Sequence, residues 1–146
     1  MREILFRGKR TENEKWIEGF YYKDDTTGMV FIITWEDGKD RGCLTIEEIR
    51  EVTQDTVGQF TGLTDKNGKK IFEGDIIRAK LESGNHEGFA WPNMPVDFQQ
   101  GSFCLNDRKG YVFAVLGAFA PSVTFEVIGN IHDNPELLEV ENAETI

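Results

Sequence analysis

Residues 57–81 read VGQFTGLTDKNGKKIFEGDIIRAKL, and this stretch decides the fold. Apolar residues alternate with basic residues over 76–81, which is the pattern of a strand with one face on a core. Asn67-Gly68 predicts a tight hairpin turn, because this dipeptide accepts two successive positive φ angles. Gly74 marks a bend into the following strand, as in small and strongly curved barrels. The stretch therefore predicts a hairpin followed by a barrel strand.

The rest of the chain is dominated by further strand signals. Residues 16–23 and 29–35 predict a second hairpin, since the Asp- and Gly-containing segment 24–28 between them has turn chemistry. The strand at 29–35 is almost wholly apolar and is expected to be covered on both faces. Strand patterns resume in three later segments, at 102–105, 111–116 and 122–131.

Three segments depart from this pattern. Residues 45–50 favour either a two-turn helix, because their first and fourth residues have capping-box spacing, or a strand. Residues 82–100 predict a long loop, whose aromatics either pack on the domain or on a neighbouring subunit, or form a lid over a ligand. Asn134 followed by Pro135 predicts the start of a short C-terminal helix, with Asn134 as its N-cap.

The composition is that of one folded domain. The chain has 146 residues, of which 39% are hydrophobic and 12% aromatic, and this excludes general disorder. We expect a single domain over residues 1–139 and a solvated acidic tail over residues 140–146. The first residues lack the apolar core of a secretory signal, and no apolar run approaches the ~18 residues of a membrane span. A cytoplasmic location without membrane contact is therefore expected.

The sequence contains no motif for catalysis, a cofactor or a metal. Glycine-rich phosphate loops, GxSxG and HExxH are all missing, and Cys43 and Cys104 lack metal-binding spacing. Both thiols are expected to be buried. His132 is expected to stabilise a turn, and His86 lies in the predicted loop. An enzyme of unknown reaction is therefore the second alternative, and no catalytic, cofactor-binding or metal-binding residue is expected.

Glu73 and Asp75 are the one pair of nearby carboxylates at the start of a predicted strand. They lie two residues apart, and both are expected to face solvent. In this arrangement they are not expected to form a general acid/base pair.

Residue types that favour binding occur in two places. The first combines basic and aromatic side chains near the N-terminus: Arg7, Lys9, Arg10 and Trp16. Small β-barrels use this combination to bind single-stranded nucleic acid, but the net charge of −10 repels a phosphate backbone. Nucleic acid is therefore the alternative partner rather than the favoured one. The second place is the loop, where Phe89 and Trp91 suit a protein contact.

Residues 111–116 add an argument for self-association. Alternate residues in this segment are apolar on both faces of the predicted strand. One face therefore needs cover from another layer or another subunit, and a closed homo-oligomer supplies that cover.

Four segments together resemble the YopX family of phage and prophage proteins. They are REILFRGK at 2–9, WIEG at 16–19, TVGQFTGLTDKNGKKIFEGDI at 56–76 and FEVIGNIHDNPELL at 125–138. The resemblance implies a mostly-β fold with a barrel-like core, a phage or prophage origin and self-association. It brings no catalytic residue.

We therefore expect a mainly β protein with a small barrel-like domain, of SH3-like or PRC-like type, and short helices including one at the C-terminus. The expected function is that of a non-enzymatic phage or prophage accessory protein that self-associates and binds a host or phage protein. The alternative is a small β-barrel associated with nucleic acid.

Overall fold

The fold is mainly β, as the sequence predicts. The computed structural model describes residues 3–37, 44–119 and 121–139. Within these residues the helical segments are short 3₁₀ turns: Gln54–Thr56, Leu116–Ala118 and Pro135–Leu138.

Contacts divide the chain into two compact units, Met1–Phe60 and Thr61–Ile146. The division falls inside one strand, Gly58–Thr64. The expectation of a single domain over residues 1–139 stays a prediction. The acidic tail expected at 140–146 lies outside the described residues.

The first unit is an antiparallel sheet. Its strands are β1 Phe6–Lys9, β2 Trp16–Lys23, β3 Val30–Asp37, β4 Leu44–Val52 and the start of β5 Gly58–Thr64. They are hydrogen-bonded in the order β4-β3-β2-β1-β5. The first half of β2 pairs with β1 and its second half pairs with β3, which confirms the hairpin predicted over 16–35.

One face of this sheet encloses the core of the first unit. Its buried members are Ile17, Val30, Ile32 and Val52. Gly8 belongs to this packing, because a Cβ there would lie 2.9 Å from two side-chain carbons of Val52. The sequence pattern of β2 and β3 thus places every second residue inside.

The second unit contains a five-stranded antiparallel sheet. Its strands are β7 Asp75–Leu81, β8 Met94–Gln99, β9 Ser102–Asn106, β10 Val112–Val115 and β11 Val123–Asn130, and the short β6 Lys70–Phe72 neighbours β5. The five strands follow the order β10-β9-β8-β7-β11. The core combines six buried residues: Ile71, Ile77, Met94, Val96, Leu105 and Leu116.

The predicted barrel is wrong, because neither sheet closes on itself within the described residues. The first and last strands of each sheet are not paired with each other. In the first unit, one isolated bridge between Arg10 and Val52 joins the chain after β1 to the end of β4. A closed barrel requires a continuous hydrogen-bonded ladder around its circumference, and one bridge does not supply it.

Two element predictions are also corrected. Residues 45–50 belong to β4, which pairs with β3 over eight positions, so the helix alternative is wrong. This non-local ladder outweighs the local capping signal. Residues 82–100 are not one loop, because β8 occupies Met94–Gln99 and its Pro95 lies opposite Ile76 on β7.

The predicted C-terminal helix is limited to the 3₁₀ turn Pro135–Leu138. Pro135 opens this turn as expected, but the side chain of Asn134 does not cap it. The Asn134 carboxamide oxygen instead accepts the N–H of Asn130, at 3.3 Å. Gly129 leaves room for this, since a Cβ there would lie 2.6 Å from the same oxygen.

Candidate protein interaction surfaces

The predicted basic edge is partly assembled in the first unit. The guanidinium carbon of Arg7 lies 4.6 Å, and the ammonium nitrogen of Lys9 5.6 Å, from the ring centroid of Trp16. The β1–β2 register explains this, since Lys9 stands directly opposite Trp16. Arg10 instead lies 3.0 Å from the Glu48 carboxylate. Because two cations already occupy the indole, little of its face is left for a nucleic-acid base to stack on.

The two predicted loop aromatics belong to the second unit and differ in environment. Trp91 packs against the core of that unit and meets Phe119 edge to face, with 6.1 Å between ring centroids. Phe89 contacts Trp91 in the same manner, at 5.1 Å, and is 52% exposed. Trp91 therefore acts as a core residue, and Phe89 is the member of the pair that faces solvent.

The most exposed apolar strand of the second unit is β10, at one edge of the five-stranded sheet. Four large side chains in and beside it are exposed: Tyr111, Val112, Phe113 and Val115, with Tyr111 at 68%. The next residue, Leu116, is buried in the core. Among the described residues, β9 is the sole strand paired with β10, so the outer backbone of β10 faces no strand.

The opposite edge of this sheet, β11, is covered. The turn between β5 and β6 lies against it, because Lys66 N–H donates to the carbonyl of Phe125 and Asp65 accepts the N–H of Val127 at 3.0 Å. The other oxygen of Asp65 accepts N–H groups of Asn67 and Lys69, each at 2.9 Å. The β11 edge of the sheet is therefore covered, whereas the β10 edge is not, within the described residues.

The charge of Asp65 is stabilised where it lies. Burial alone would raise the pKa of this carboxyl group, but three backbone N–H donors and the charge of Lys69 outweigh burial and hold the pKa below its usual value. The turn itself also differs from the prediction, because only Gly68 of the Asn67-Gly68 pair has a positive φ, of 82°. This is the geometry of a type I turn followed by a left-handed glycine.

A second apolar surface lies on the first unit, on the outer face of β2, β3 and β4. Direct cross-strand pairs place its residues together: Phe20↔Ile33, Tyr22↔Phe31 and Ile33↔Ile49. Phe20 also stacks on Trp35, with 4.0 Å between centroids and 18° between ring planes. We call these six residues, Phe20, Tyr22, Phe31, Ile33, Trp35 and Ile49, the aromatic face.

Sequence reasoning missed the aromatic face. The apolar run at 29–35 predicted a strand covered on both faces, whereas the structure covers the face of Val30 and Ile32 and leaves the other half-open. Tyr22 is 53% and Ile49 52% exposed. The signal was present in the sequence, because both faces of β3 are apolar, but periodicity alone does not reveal which face is covered.

A polar cluster on β8 and β9 offers no reactive group. One carboxylate oxygen of Asp97 accepts from Asn106 at 2.8 Å and from Gln99 at 2.9 Å. Burial alone would raise the pKa of Asp97, but these donors and the N–H of Phe98 hold it below its usual value. Burial, and then the charge of Asp97, raise the pKa of the Cys104 thiol. A buried thiol of this kind is a poor nucleophile.

The expected burial of the thiols is confirmed for Cys104, which is 1% exposed, while Cys43 lies outside the described residues. A cavity of about 440 Å³ borders the polar cluster. It is lined by Asn93, Pro95, Asn106, Asp107, Arg108, Gly110 and Leu138. Neither histidine lines it, so this cavity lacks a general base of ordinary pKa near neutrality.

The two histidines and Asp75 have different surroundings. His132 lies in the turn after β11, where its backbone N–H donates to the carboxamide oxygen of Asn130, and His86 is exposed. The prediction that Asp75 faces solvent is wrong, because it is 1% exposed and accepts the N–H of Phe72 at 2.8 Å. Over residues 3–37, 44–119 and 121–139, no three His, Cys, Asp or Glu side chains are grouped to hold a metal ion.

Comparisons with known proteins identify relatives but no activity. The family model described as YopX protein matches residues 5–139. The crystal structure of protein EF1440 from Enterococcus faecalis is similar, with a TM-score of 0.59 and 25% sequence identity over 94% of this chain and 99% of that chain. No curated protein matches the chain. In the described part of the chain, no helix has the length and apolar character needed to cross a membrane.

Proposed function

This chain belongs to the YopX family, and we propose that it is a non-enzymatic phage or prophage accessory protein that associates with itself and with another protein. We place it in the cytoplasm of the bacterial host. The proposal depends chiefly on one observation, which is the exposed β10 edge.

The β10 edge favours pairing with a second copy of the same strand. An edge strand presents unpaired backbone groups that can template another strand, and natural proteins usually block such edges with charges or cover them. The turn at Asp65 covers β11, whereas β10 carries only apolar side chains at its exposed positions. Antiparallel pairing of two β10 strands would satisfy the backbone and bury Val112 and Val115.

The local charge also permits two copies to meet at β10. The protein has a net charge of −10, and like charge generally keeps copies apart. Residues 108–125, which contain β10, have no Asp or Glu and begin with Arg108 and Lys109. Two copies can therefore meet along residues 108–125 without a carboxylate on this segment.

Sedimentation velocity tests the proposal. We expect the wild-type protein to sediment as a dimer or larger closed assembly over a range of concentrations, and the variant Val112→Lys/Val115→Lys to sediment as a monomer. The control Met29→Lys/Ile131→Lys adds the same charge at two other apolar residues, each 38% exposed, and should stay associated. A monomeric wild-type protein, or a β10 variant that associates like the wild type, would contradict self-association through this edge.

The nucleic-acid alternative receives less support. Its predicted residues are Arg7 and Lys9, which lie on Trp16, and Arg10, which pairs with Glu48. The enzyme alternative has no positive support in the sites described above.

A further inference from the structure

We propose that the aromatic face of the first unit is a docking surface for a basic, apolar segment of a partner protein, rich in arginine or lysine. The proposed function includes binding of a second protein, and this inference rests on it by naming the chemistry of that partner. The surface lies on the first unit and the β10 edge on the second, so the two are tested separately.

The aromatic face is one contiguous apolar patch and not a set of isolated surface residues. Its six side chains come from three adjacent strands and are joined by direct cross-strand pairs, so they form one contiguous patch. Ile46, which lies opposite Trp35, extends the patch and is 60% exposed. Contiguous exposed patches that are rich in aromatic residues mark binding sites, whereas single exposed apolar residues do not.

The inner face of the same strands shows why the patch is not simply core. Val30 and Ile32 on β3 are 3% and 0% exposed and pack with Ile17 and Val52. Burial of that face already holds the sheet together. The apolar character of the outer face is therefore surplus to the folding of this sheet, and exposing it costs solubility unless a partner covers it.

Charge around the patch selects the partner. Glu51 stands directly opposite Phe31, and Glu18 alternates with Phe20 and Tyr22 along β2. Glu47 on β4 is exposed. Glu18 stands opposite Arg7 on β1, whereas Glu48 and Arg50 lie on the other face of the sheet, opposite Thr34 and Ile32. A partner with positive charge is attracted both by the carboxylates beside the patch and by the net charge of the protein.

The ring geometry adds to this selectivity. The Phe20–Trp35 stack presents aromatic surface to solvent at Phe20, which is 41% exposed, and Tyr22 lies two residues further along β2. Aromatic faces attract guanidinium and ammonium groups, and the same unit already shows this with Arg7 over Trp16. A second copy of this chain is disfavoured as the occupant, because it carries the same carboxylates and the same net charge of −10. An anionic phosphate backbone is disfavoured for the same reason.

Selection from a random dodecapeptide library, displayed on yeast, tests the inference with the full-length protein. We expect the selected peptides to combine apolar residues with Lys and Arg, at about twice the Lys and Arg frequency of the unselected library or more. Their binding should weaken as salt is added. Two face variants, Phe20→Ser/Trp35→Ser and Tyr22→Ser/Ile49→Ser, should each bind the selected peptides at least ~10-fold more weakly. The second pair replaces residues that are more than half exposed, so it keeps the test valid if the first pair unfolds the sheet.

The matched control is Tyr111→Ser, which removes an aromatic ring that is 68% exposed in the second unit and should leave peptide binding unchanged. Selected peptides that are acidic or uncharged, the absence of any enriched peptide, or equal binding by the face variants would each overturn the inference. Dissociation of the self-associated protein by the Tyr22→Ser/Ile49→Ser change would also overturn it, since the face would then join two copies. Peptide binding should survive in Val112→Lys/Val115→Lys, so loss of self-association and failure of this docking surface are distinguishable.

Discussion

Asp65 gives the sharpest test of how the second unit is held together. Its carboxylate accepts the local N–H groups of Asn67 and Lys69 with one oxygen and the distant N–H of Val127 with the other. In Asp65→Asn the carboxamide keeps an oxygen for the two local donors, but its NH₂ group then faces the N–H of Val127. That N–H loses its acceptor, and the change also removes the charge that strengthens all three bonds.

The magnitude follows from these three bonds. A buried donor left without a partner costs about 1–3 kcal/mol, and loss of charge assistance weakens each remaining bond by a fraction of a kcal/mol. We therefore expect Asp65→Asn to lower the free energy of unfolding by about 2–3 kcal/mol. Asp65→Ala removes every acceptor and should cost more.

The chain contains a matched control for this change. Asp107 opens a turn of the same form, in which one carboxylate oxygen accepts N–H groups two and four residues later, from Lys109 at 2.9 Å and from Tyr111 at 3.0 Å. Both turns also share their backbone bonds, including the N–H of the glycine to the carbonyl of the aspartate. No hydrogen bond from a distant strand is seen at Asp107 among the described residues. Asp107→Asn should therefore cost only about 0.5–1 kcal/mol.

Urea denaturation of the two variants and the wild type measures the difference, and native-state hydrogen exchange at the Val127 amide locates it. We expect Asp65→Asn to lose about 1–2 kcal/mol more than Asp107→Asn and to accelerate exchange at Val127 selectively. Equal losses in the two variants, or unchanged protection of Val127, would refute the reasoning that Asp65 stabilises the second unit by covering the β11 edge.

Three further outcomes are expected. The pKa values of Asp65 and Asp97 are lowered in the folded protein, so these carboxylates stabilise the fold fully above the ordinary carboxyl pKa of 3.8. That stabilisation is lost as the pH falls from this value towards the folded pKa. The thermal midpoint, followed by circular dichroism from pH 7 to pH 3, should therefore fall in acid, and it should fall less in the Asp65→Asn variant. Gly19→Ala should destabilise the first unit by about 1–3 kcal/mol in the same urea assay, because the new methyl group would overlap a backbone carbonyl oxygen of β3, and a neutral result would contradict the close approach of β2 to β3. In a Cys43→Ser background, native Cys104 should react with a thiol reagent at least ~100-fold more slowly than in the urea-unfolded protein, and rapid native labelling would contradict its burial.

Local sequence chemistry predicted much of the fold. The hairpin over 16–35 follows from apolar strand patterns around a turn, where Asp24 accepts the N–H of Thr26 and Gly28 has a φ of 75°. Such turns depend on hydrogen bonds between residues that are close in sequence, so they can be predicted from the local sequence. The same holds for the alternation along β7, where Ile77 and Ala79 are buried.

The candidate surfaces were predicted less completely. Arg7, Lys9 and Trp16 do come together, but Arg10 pairs with Glu48, 38 residues away, and Trp91 packs on a core. β8 was not predicted, because Pro95 and the glycine-containing segment 82–93 before it resemble a loop sequence. Its strand form depends on pairing with β7 and β9.

The sequence by itself determined the strand-rich class, the positions of the main turns and the membership of a family, since these depend on short-range chemistry and on motifs that can be read along the chain. Only the tertiary structure decided which apolar faces are covered, which edge of the second sheet is left open, and that Asp75 is buried. Asp65 shows the reason most clearly. Its turn depends on residues 65–69 alone, but its third hydrogen bond is to Val127, 62 residues away. Contacts of that separation depend on how strands are ordered in the sheet, and periodicity carries no information about that order.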